Sequence, residues 1–281
     1  WCAALFFVQD GMVFPRTFTG PGGPVPADAT SVWTSDGPER AEAWVFAPPA
    51  AISAGASAAT REGRRPAVLF FHGNAELIDD NALLAREYVA QGFVVMLAEY
   101  RGYGRSGGAP SQAALVADAE RFHALLTSRP DVDPARVVLH GRSLGTGVAA
   151  QLGERLRSAG GPLPAGLILE SPFTSVASYA SRYLVPGFLV RHPFRTDEVL
   201  PGMVRAGVPV LILHAESDTI TPPSHALRLE RLAREAAGGA GAGAAAVTRL
   251  SLPGDHNTFP GDVEAYWNAI EAFVAPVLGT R

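Results

Sequence analysis

Apolar runs alternate with segments of helical spacing along most of this chain. The runs have the unbroken character of strands that are buried on both faces of a sheet, whereas the intervening segments repeat apolar residues at helical intervals. The runs lie at residues 67–71, 92–99, 137–139, 165–170, 208–214 and 247–252, and the helical segments at 75–91, 112–128, 148–152, 223–237 and 262–277. Strands that alternate with helices in this way predict a mostly parallel, doubly wound sheet.

The first part of the chain predicts a different arrangement. Short segments with strand character lie at residues 12–18, 30–34 and 41–47, and a glycine- and proline-rich stretch at 20–24 separates the first two. These segments predict antiparallel strands at the entry to the sheet. Residues 48–65 are rich in Ala, Ser and Gly without any period, and they predict a mobile surface insertion.

The chain opens with a short apolar run at residues 1–8. This run cannot span a bilayer, which needs about 20 residues. Two interpretations stay open, because the run is either the end of a membrane anchor or signal segment, or a first strand. We therefore divide the chain into an apolar segment with the first strand at 1–18 and a single domain at 19–281. Localisation stays open between the cytoplasm, membrane association and export.

Composition narrows the classes of function. Hydrophobic residues make up 47% of the 281 residues and charged residues 18%, which is typical of a folded, core-rich protein. The formal net charge of −4 offers no basic surface, so we expect no nucleic-acid partner. All 23 basic residues are arginine, which excludes a Schiff-base lysine, a Ser-Lys dyad and a P-loop lysine. Cys2 is the single cysteine, which excludes an internal disulfide and a cysteine zinc cluster, and we expect no metal.

One motif, Gly141-Arg142-Ser143-Leu144-Gly145, stands between a predicted strand and a helical segment of small residues. A serine at such a sharp strand-to-helix turn projects its hydroxyl outward, and the cramped backbone requires small residues two positions before and after it. Gly141 and Gly145 meet that requirement. The following helix directs its N-terminal amide dipoles at negative charge that forms on a substrate. This context favours a nucleophile over a chance serine in a glycine-rich turn.

A candidate base for this serine lies near the end of the chain. Ligands of parallel sheets bind at the carboxyl ends of the strands, and a serine nucleophile there needs a histidine with an orienting carboxylate. His256 lies in a loop after the last predicted strand. In enzymes whose nucleophilic serine lies on a strand-to-helix turn, the serine, the acidic residue and the histidine follow one another in this order along the chain. We interpret the remaining histidines as structural: His72, His123, His140, His192, His214 and His225.

Asp218 is the candidate for the orienting carboxylate, because it lies directly after a predicted strand. Glu216 is its local competitor. Asp255 is adjacent to His256 and would have to fold back onto the neighbouring ring. Glu170, at the end of the preceding strand, is the more serious alternative.

Attack on a carbonyl also requires amide donors for the developing oxyanion, each worth a few kcal/mol. The N–H of Leu144, directly after the serine, is one candidate. We expect the second donor in the loop after the strand at 67–71, where His72-Gly73-Asn74 brings the N–H of Asn74 into the right neighbourhood. The imidazole of His72 is interpreted as a brace for that loop, and His72 is also assigned to the substrate pocket.

An aromatic-rich segment at residues 171–203 stands where a lid-like insertion is expected. One interpretation is ordinary packing of a helix against the sheet, and the other is an apolar acyl-binding wall over Ser143. On the second interpretation, Phe173, Tyr179 and Tyr183 line the substrate pocket.

Five sequence features occur in an order that resembles a known family. They are Phe71-His72-Gly73-Asn74-Ala75, the glycine loop at 100–108, the motif at 141–145, Glu170-Ser171-Pro172-Phe173-Thr174-Ser175, and the loops of Asp218 and His256. The set resembles the α/β-hydrolase superfamily, and within it the BEM46-like branch with its ABHD13- and ABHD17-type serine hydrolases. The resemblance extends from about residue 10 to residue 273.

The resemblance implies an α/β-hydrolase fold with antiparallel N-terminal strands, no cofactor, and hydrolysis of carboxylic esters or thioesters through an acyl-enzyme. Some animal relatives remove palmitoyl groups from proteins, and such relatives often carry an N-terminal membrane segment, which suits the apolar start here. This chain departs from them through the insertions at 48–65 and 238–246. It also has only Cys2 in place of their N-terminal cysteine cluster, which weakens the expectation of the same membrane targeting.

Three alternatives to the esterase interpretation follow from the same sequence. The loop at 102–107 matches G-x-G-x-x-G, but residues 138–141 lack the acidic residue that a dinucleotide site needs about 20 positions on, so no such cofactor is expected. The interpretation as a non-catalytic binding protein with the same fold stays open. A peptidase or perhydrolase would use the same serine, histidine and aspartate.

Overall fold

The computed structural model describes residues 2–49, 63–182, 186–238 and 246–279, with only the backbone of residues 2–7 and 181–182. Most of the insertion predicted at 48–65 and most of the run at 238–246 lie outside the described residues, and so does Tyr183.

Eight strands form one sheet in the described part of the chain. They are β1 (Ala29–Trp33), β2 (Glu42–Phe46), β3 (Arg65–Phe71), β4 (Val94–Ala98), β5 (Val132–Arg142), β6 (Gly166–Glu170), β7 (Val210–Ala215) and β8 (Val247–Leu252). Their order across the sheet is β1-β2-β4-β3-β5-β6-β7-β8. The β1–β2 and β2–β4 pairs are antiparallel and all later pairs are parallel. This confirms the predicted mostly parallel sheet with an antiparallel entry.

Helices surround the sheet. The described α-helices are α1 (Cys2–Val13), α2 (Ala82–Ala90), α3 (Gln112–Thr127), α4 (Leu144–Ser158), α5 (Val176–Arg182), α6 (Thr196–Arg205), α7 (Ser224–Gly238) and α8 (Val263–Leu278). Short 3₁₀ turns lie at Arg16–Phe18, Ile78–Asn81 and Gly187–Leu189. Within the described ranges, none of the helices combines the length and the apolar character that crossing a membrane would require.

Two apolar layers cover the two faces of the sheet. Successive residues of a strand point to opposite faces, so Leu69 of β3 packs into one layer and Phe70 into the other. The first layer contains residues of α3, α4, α6 and α7, and the second contains residues of α2 and α8. Because both faces are covered, every residue of β3 is buried, and the site is left at the carboxyl ends of the parallel strands.

The strand predicted within residues 1–18 is wrong, because this segment forms α1 and a 3₁₀ turn. Gln9, Met12 and Val13 have the i, i+3, i+4 spacing of a helix face, and all three line the same cavity. Phe14, directly after α1, is 2% exposed and packs against the ring of His192. A helix lets one face of this short apolar segment contact the rest of the protein, which an unpaired strand could not do without a sheet edge.

Two boundaries also differ from prediction. The helix predicted at 75–91 begins at Ala82, after the 3₁₀ turn at Ile78–Asn81. The preceding loop is held out of helical conformation because Leu77 N–H donates to the Asp80 carboxylate at 2.9 Å and Ile78 N–H to that of Glu99 at 3.2 Å. β5 begins five residues earlier than its apolar run, since Val132 pairs with Arg65 of β3.

Candidate active site

Ser143 occupies the turn between β5 and α4. Its backbone has φ 49° and ψ −114°, an unfavourable conformation for a residue with a side chain. The turn is held by the Ser143 N–H, which donates to the carbonyl of Glu170 on β6 at 2.8 Å. The strained backbone therefore presents the hydroxyl at the carboxyl end of the sheet, where the sequence predicted it.

The two glycines of the motif are required by close backbone contacts. A Cβ at Gly141 would lie 2.2 Å from the carbonyl oxygen of Gly145, and a Cβ at Gly145 would lie 2.0 Å from that of Phe71. The start of α4 thus rests directly on the end of β3. Only glycine permits this approach, and it brings the first turn of α4 next to the loop that follows β3.

Ser143, His256 and Asp218 form a continuous hydrogen-bonded chain. The Ser143 Oγ lies 2.9 Å from His256 Nε2, and His256 Nδ1 lies 2.7 Å from Asp218 Oδ2. Nδ1–H donates to the carboxylate, so Nε2 is left to accept the serine proton. The three side chains come from the turns after β5, β7 and β8, which meet at one edge of the sheet.

Asp218 is itself fixed by its surroundings. Its side chain is fully buried, and Oδ1 accepts the backbone N–H groups of Ile220 at 3.0 Å and Thr221 at 2.6 Å. His214 lies behind it and donates from Nε2 to the carbonyl of Thr221 at 2.8 Å. Burial lowers the pKa of His214, so this second imidazole is neutral and adds no competing charge. Asp218 Oδ2 therefore faces His256.

Two of the three competing carboxylates are engaged elsewhere. Glu170 is bound by Arg142 at 2.6 Å and by the hydroxyl of Tyr266 at 2.9 Å. Burial opposes its charge, but the guanidinium of Arg142 outweighs it and lowers the pKa of Glu170 to about 2. Glu216 is exposed, and Asp255 accepts backbone N–H groups within its own loop, which lowers its pKa.

The predicted amide donors lie beside the serine. Asn74, Leu144 and Ser143 line one cavity, and a Cβ built on Gly73 would lie 3.7 Å from the Cβ of Ser143. Leu144 is the first residue of α4, and the N–H groups of a first helical turn have no partner inside the helix. The arrangement can therefore offer two N–H groups to a substrate oxygen at Ser143.

The assignment of His72 to the substrate pocket is wrong. Its side chain is fully buried and lies outside the residues that line the cavity. The ring contacts the carbonyl of Gly73 at 2.7 Å through Nδ1 and Glu99 at 2.7 Å through Nε2. His72 therefore lies behind the loop of Asn74, consistent with its interpretation as a brace.

A cavity of about 270 Å³ opens at Ser143. Most of its wall is apolar and includes Met12, Val13, Phe173, Val176, Leu189, Val190 and Ile220. Gln9, Asn74, Tyr179 and Thr221 supply the polar part of the wall beside Ser143. Among the described residues, no charged side chain lines the cavity. Its size and lining suit a short to medium apolar group rather than an ion.

The segment at 171–203 supplies one side of this cavity. Phe173 and Tyr179 line it as predicted, and the Tyr179 hydroxyl donates to Thr221 Oγ1 at 3.0 Å. A further part of the wall comes from α1, which the sequence interpretation missed. Asp10 of α1 is bound by His192 at 2.9 Å and by Arg191 at 2.8 Å, so α1 and the segment hold each other. The helical spacing of Gln9, Met12 and Val13 was the signal for this wall.

The glycine loop at 102–107 is closed by contacts within the protein. Gly102 N–H donates to the carbonyl of Gly107 at 2.9 Å, and Gly107 N–H donates to that of Arg40 at 2.9 Å. A Cβ at Gly107 would lie 1.9 Å from the carbonyl oxygen of Pro38. These glycines allow the loop to pack closely against the segment between β1 and β2. The next helix, α3, begins at Gln112, several residues after the loop.

Comparisons with known proteins identify relatives of this chain. A family model described as serine aminopeptidase, S33 matches residues 62–199. The lysophosphatidylserine lipase ABHD12 of Danio rerio is 36% identical over 180 residues, which cover 57% of this chain and 45% of that protein. The protein YfhR of Escherichia coli O157:H7 is 30% identical over 217 residues, which cover 76% of this chain and 71% of YfhR. The chain thus spans about half the length of the first relative and most of the second.

Solved structures share the fold. The propionate-bound esterase Est2 of Thermogutta terrifontis superposes with a TM-score of 0.66 at 19% identity, over 90% of this chain and 96% of the esterase. A puromycin-hydrolyzing peptidase of Mycobacterium tuberculosis gives a TM-score of 0.67 at 20% identity, over 90% of this chain and 40% of the peptidase. The sheet order and the relatives, among them the alpha/beta hydrolase domain-containing protein WAV2 of Arabidopsis thaliana at 33% identity over 58% of this chain and 56% of that protein, lead to one conclusion: the chain belongs to the α/β-hydrolase superfamily.

Proposed function

We propose that this protein is a serine hydrolase that cleaves carboxylic esters or thioesters through an acyl-enzyme on Ser143. The observation that carries the proposal is the chain from Ser143 Oγ through His256 to Asp218, with distances of 2.9 Å and 2.7 Å. Each contact lies within the range for proton transfer between a nucleophile, its base and an orienting carboxylate. Assignment to the BEM46-like branch is part of the same proposal.

The proposed reaction has two steps. Ser143 Oγ attacks the carbonyl carbon while its proton moves to His256 Nε2, and Asp218 stabilises the imidazolium that forms. The oxyanion accepts hydrogen bonds from the N–H groups of Asn74 and Leu144. His256 then protonates the leaving alcohol or thiol. Water, deprotonated by His256, attacks the acyl group, and Ser143 recovers its proton as the carboxylic acid leaves.

The lining of the cavity supports the proposal that the protein recognises the acyl group of its substrate. Its apolar wall beside Ser143 would bury a hydrocarbon chain, at about 0.8 kcal/mol per methylene. The name of the relative ABHD12, a lysophosphatidylserine lipase, supports an ester substrate of this kind.

An aminopeptidase activity, which the family description names, is less well supported by the cavity. Such an enzyme must hold the free amino group of a peptide, for which a carboxylate is the usual partner. No carboxylate lines the cavity among the described residues. This absence favours an uncharged acyl chain over a peptide N-terminus.

Labelling with a fluorophosphonate probe tests the proposal. We expect the wild-type protein to be labelled and Ser143→Ala to remain unlabelled and without esterase activity, while both unfold at similar temperatures. Ser128→Ala is the matched control, because Ser128 lies at the exposed end of α3 and its variant should be labelled normally. Rates on p-nitrophenyl esters of increasing length would then measure the acyl group that fits. If folded wild-type protein is neither labelled nor active, the proposal is wrong and the scaffold serves binding.

A further inference from the structure

A buried ion pair lies directly behind the loop that carries Asn74. The side chains of His72 and Glu99 are 0% and 1% exposed, and Nε2 lies 2.7 Å from the carboxylate. Glu99 stands at the carboxyl end of β4, next to β3 in the sheet. Removing two charges from water is costly, and an apolar pair would fill such a position at less cost. The reason for burying these two charges should therefore lie in the residues that the pair contacts.

One ring nitrogen of His72 contacts the peptide group between Gly73 and Asn74. Nδ1 lies 2.7 Å from the carbonyl oxygen of Gly73, and a carbonyl can only accept, so Nδ1 donates its proton. The same peptide unit carries the N–H of Asn74. In a trans peptide the C=O and N–H point in opposite directions, so a bond that holds the Gly73 carbonyl on the core side directs the Asn74 N–H away from the core. Asn74 lines the cavity on that side, together with Ser143.

The second ring nitrogen decides the charge of the imidazole. Burial disfavours the charged form, but the carboxylate of Glu99 outweighs burial and raises the pKa of His72 above its ordinary value. Nδ1 faces a carbonyl oxygen and Nε2 faces a carboxylate oxygen, and both of these oxygens accept, so both ring nitrogens carry a proton. The ring is then an imidazolium that donates to Gly73 on one side and to Glu99 on the other. A charged donor makes a stronger hydrogen bond than a neutral one and polarises the peptide that accepts it.

The flanks of this peptide group are also held. The Tyr100 hydroxyl donates to the carbonyl of His72 at 2.6 Å, and the Tyr103 hydroxyl donates to that of Asn74 at 3.0 Å. Glu99 in turn accepts the backbone N–H groups of Tyr100 at 2.8 Å and Ile78 at 3.2 Å. Three successive carbonyls of the loop are thus bound from the core side, and the middle one is bound by the imidazolium.

We infer that His72 and Glu99 are positioning residues that orient and polarise the Asn74 N–H toward the oxyanion formed at Ser143. The inference rests on the proposed function, since it concerns the same oxyanion. The N–H contacts the substrate, whereas His72 acts through the Gly73 carbonyl and Glu99 acts through His72. The pair therefore stabilises the transition state more than the bound substrate, because the charge on the oxygen develops only during attack.

The experiment compares steady-state kinetics and inhibitor binding in four variants. Glu99→Gln removes the charge that holds the imidazolium. In His72→Asn the amide nitrogen can take the place of Nδ1 and still donate to Gly73, whereas in His72→Gln it reaches instead toward Glu99. Glu42→Gln is the matched control, because Glu42 is equally buried and paired with Arg105 but has no contact with the loop of Asn74.

We expect Glu99→Gln and His72→Gln to lower kcat by about tenfold, a part of the 10²–10³ that loss of a whole oxyanion donor costs. KM should change little, and affinity for a trifluoromethyl ketone inhibitor, which forms a tetrahedral adduct, should fall in parallel with kcat. His72→Asn should recover part of the loss, and Glu42→Gln should keep wild-type kinetics.

Several outcomes would overturn the inference. Unchanged kcat in a folded Glu99→Gln or His72→Gln variant would do so, as would equal losses in His72→Asn and His72→Gln. Equal losses in Glu42→Gln would assign the effect to general destabilisation. Failure of the proposed function is recognised separately, because the wild-type protein itself would then show no labelling at Ser143.

Discussion

The carboxylate of Asp218 contacts Nδ1 of His256 at 2.7 Å with one oxygen and accepts backbone N–H groups with the other. The backbone bonds come from the turn that follows β7, so the carboxylate cannot rotate without losing them. The imidazole is thereby held with Nε2 directed at Ser143, 2.9 Å away. Several measurable consequences depend on this arrangement and on its neighbours.

Replacing Asp218 and replacing Glu170 should have opposite kinds of effect. Asp218→Asn should lower kcat by about 10⁴-fold, because the amide no longer stabilises the imidazolium and favours the wrong tautomer. Glu170→Gln should mainly lower the free energy of unfolding, by about 1–3 kcal/mol, since the partly buried Arg142 loses its nearest carboxylate and keeps only Asn81 at 3.0 Å and Glu76 at 3.4 Å. Ester hydrolysis and urea unfolding would measure both effects. A mild Asp218→Asn together with an inactive, stable Glu170→Gln would transfer the carboxylate role to Glu170.

The pH dependence of stability should reveal the Arg142–Glu170 pair. The folded-state pKa of Glu170 is lowered to about 2 from an ordinary 4.5, so its stabilising contribution is complete above about pH 4.5 and is lost as the pH falls toward 2. The difference in unfolding free energy between wild type and Glu170→Gln should therefore be large at pH 6 and smaller at pH 3. Urea unfolding at both pH values measures it. An equal difference at both would show that the carboxylate gains nothing from its charge.

Gly145→Ala should damage both fold and reactivity. The new Cβ would lie 2.0 Å from the Phe71 carbonyl oxygen, so α4 must move away from β3 and carry Ser143 with it. We expect a loss of about 1–3 kcal/mol or more in unfolding free energy and much slower fluorophosphonate labelling. In Gly161→Ala the nearest atom outside the immediate neighbours lies 3.9 Å away, so this control should behave like wild type. Normal labelling of Gly145→Ala would contradict the close contact.

The apolar cavity should set the length of the acyl group. Val176→Phe, in the first turn of α5, would fill part of the cavity and lower kcat/KM for long esters while sparing acetate esters. Each methylene that no longer fits should cost about 0.8 kcal/mol, or about fourfold in kcat/KM. Val263→Phe carries the same substitution at an exposed site on α8 and serves as the control. If all chain lengths lose activity equally, the acyl group binds elsewhere.

Patterns along the chain were sufficient to predict the mostly parallel sheet and the turn at Ser143. Buried parallel strands require unbroken apolar runs, and a strand-to-helix turn with a projecting serine requires small residues at 141 and 145. Both requirements are local, so they can be read from the residues themselves. The boundaries were less well predicted, because the start of α2 depends on Glu99, which binds the loop before it from the next strand.

Partnerships between distant residues were decided by the tertiary structure. Glu170 ends β6 and Asp218 follows β7 at the same edge of the sheet. Only the positions of Arg142 and His256 assign Glu170 to a structural pair and Asp218 to the imidazole. His72 was interpreted as a brace for its loop and was also placed in the pocket, and its buried contact with Glu99 speaks against the pocket. Sequence patterns cannot distinguish such cases, because the choice depends on which groups the fold brings within hydrogen-bond distance.

The N-terminal segment illustrates the same division. Its apolar character was evident from the residues, but its form was not, since a short apolar run suits a strand, a buried helix or the end of an anchor. Contacts of Asp10 with Arg191 and His192, about 180 residues further along the chain, hold it as a helix against the cavity. Local composition therefore determined that this segment is apolar, and long-range contacts determined where it lies and in what conformation.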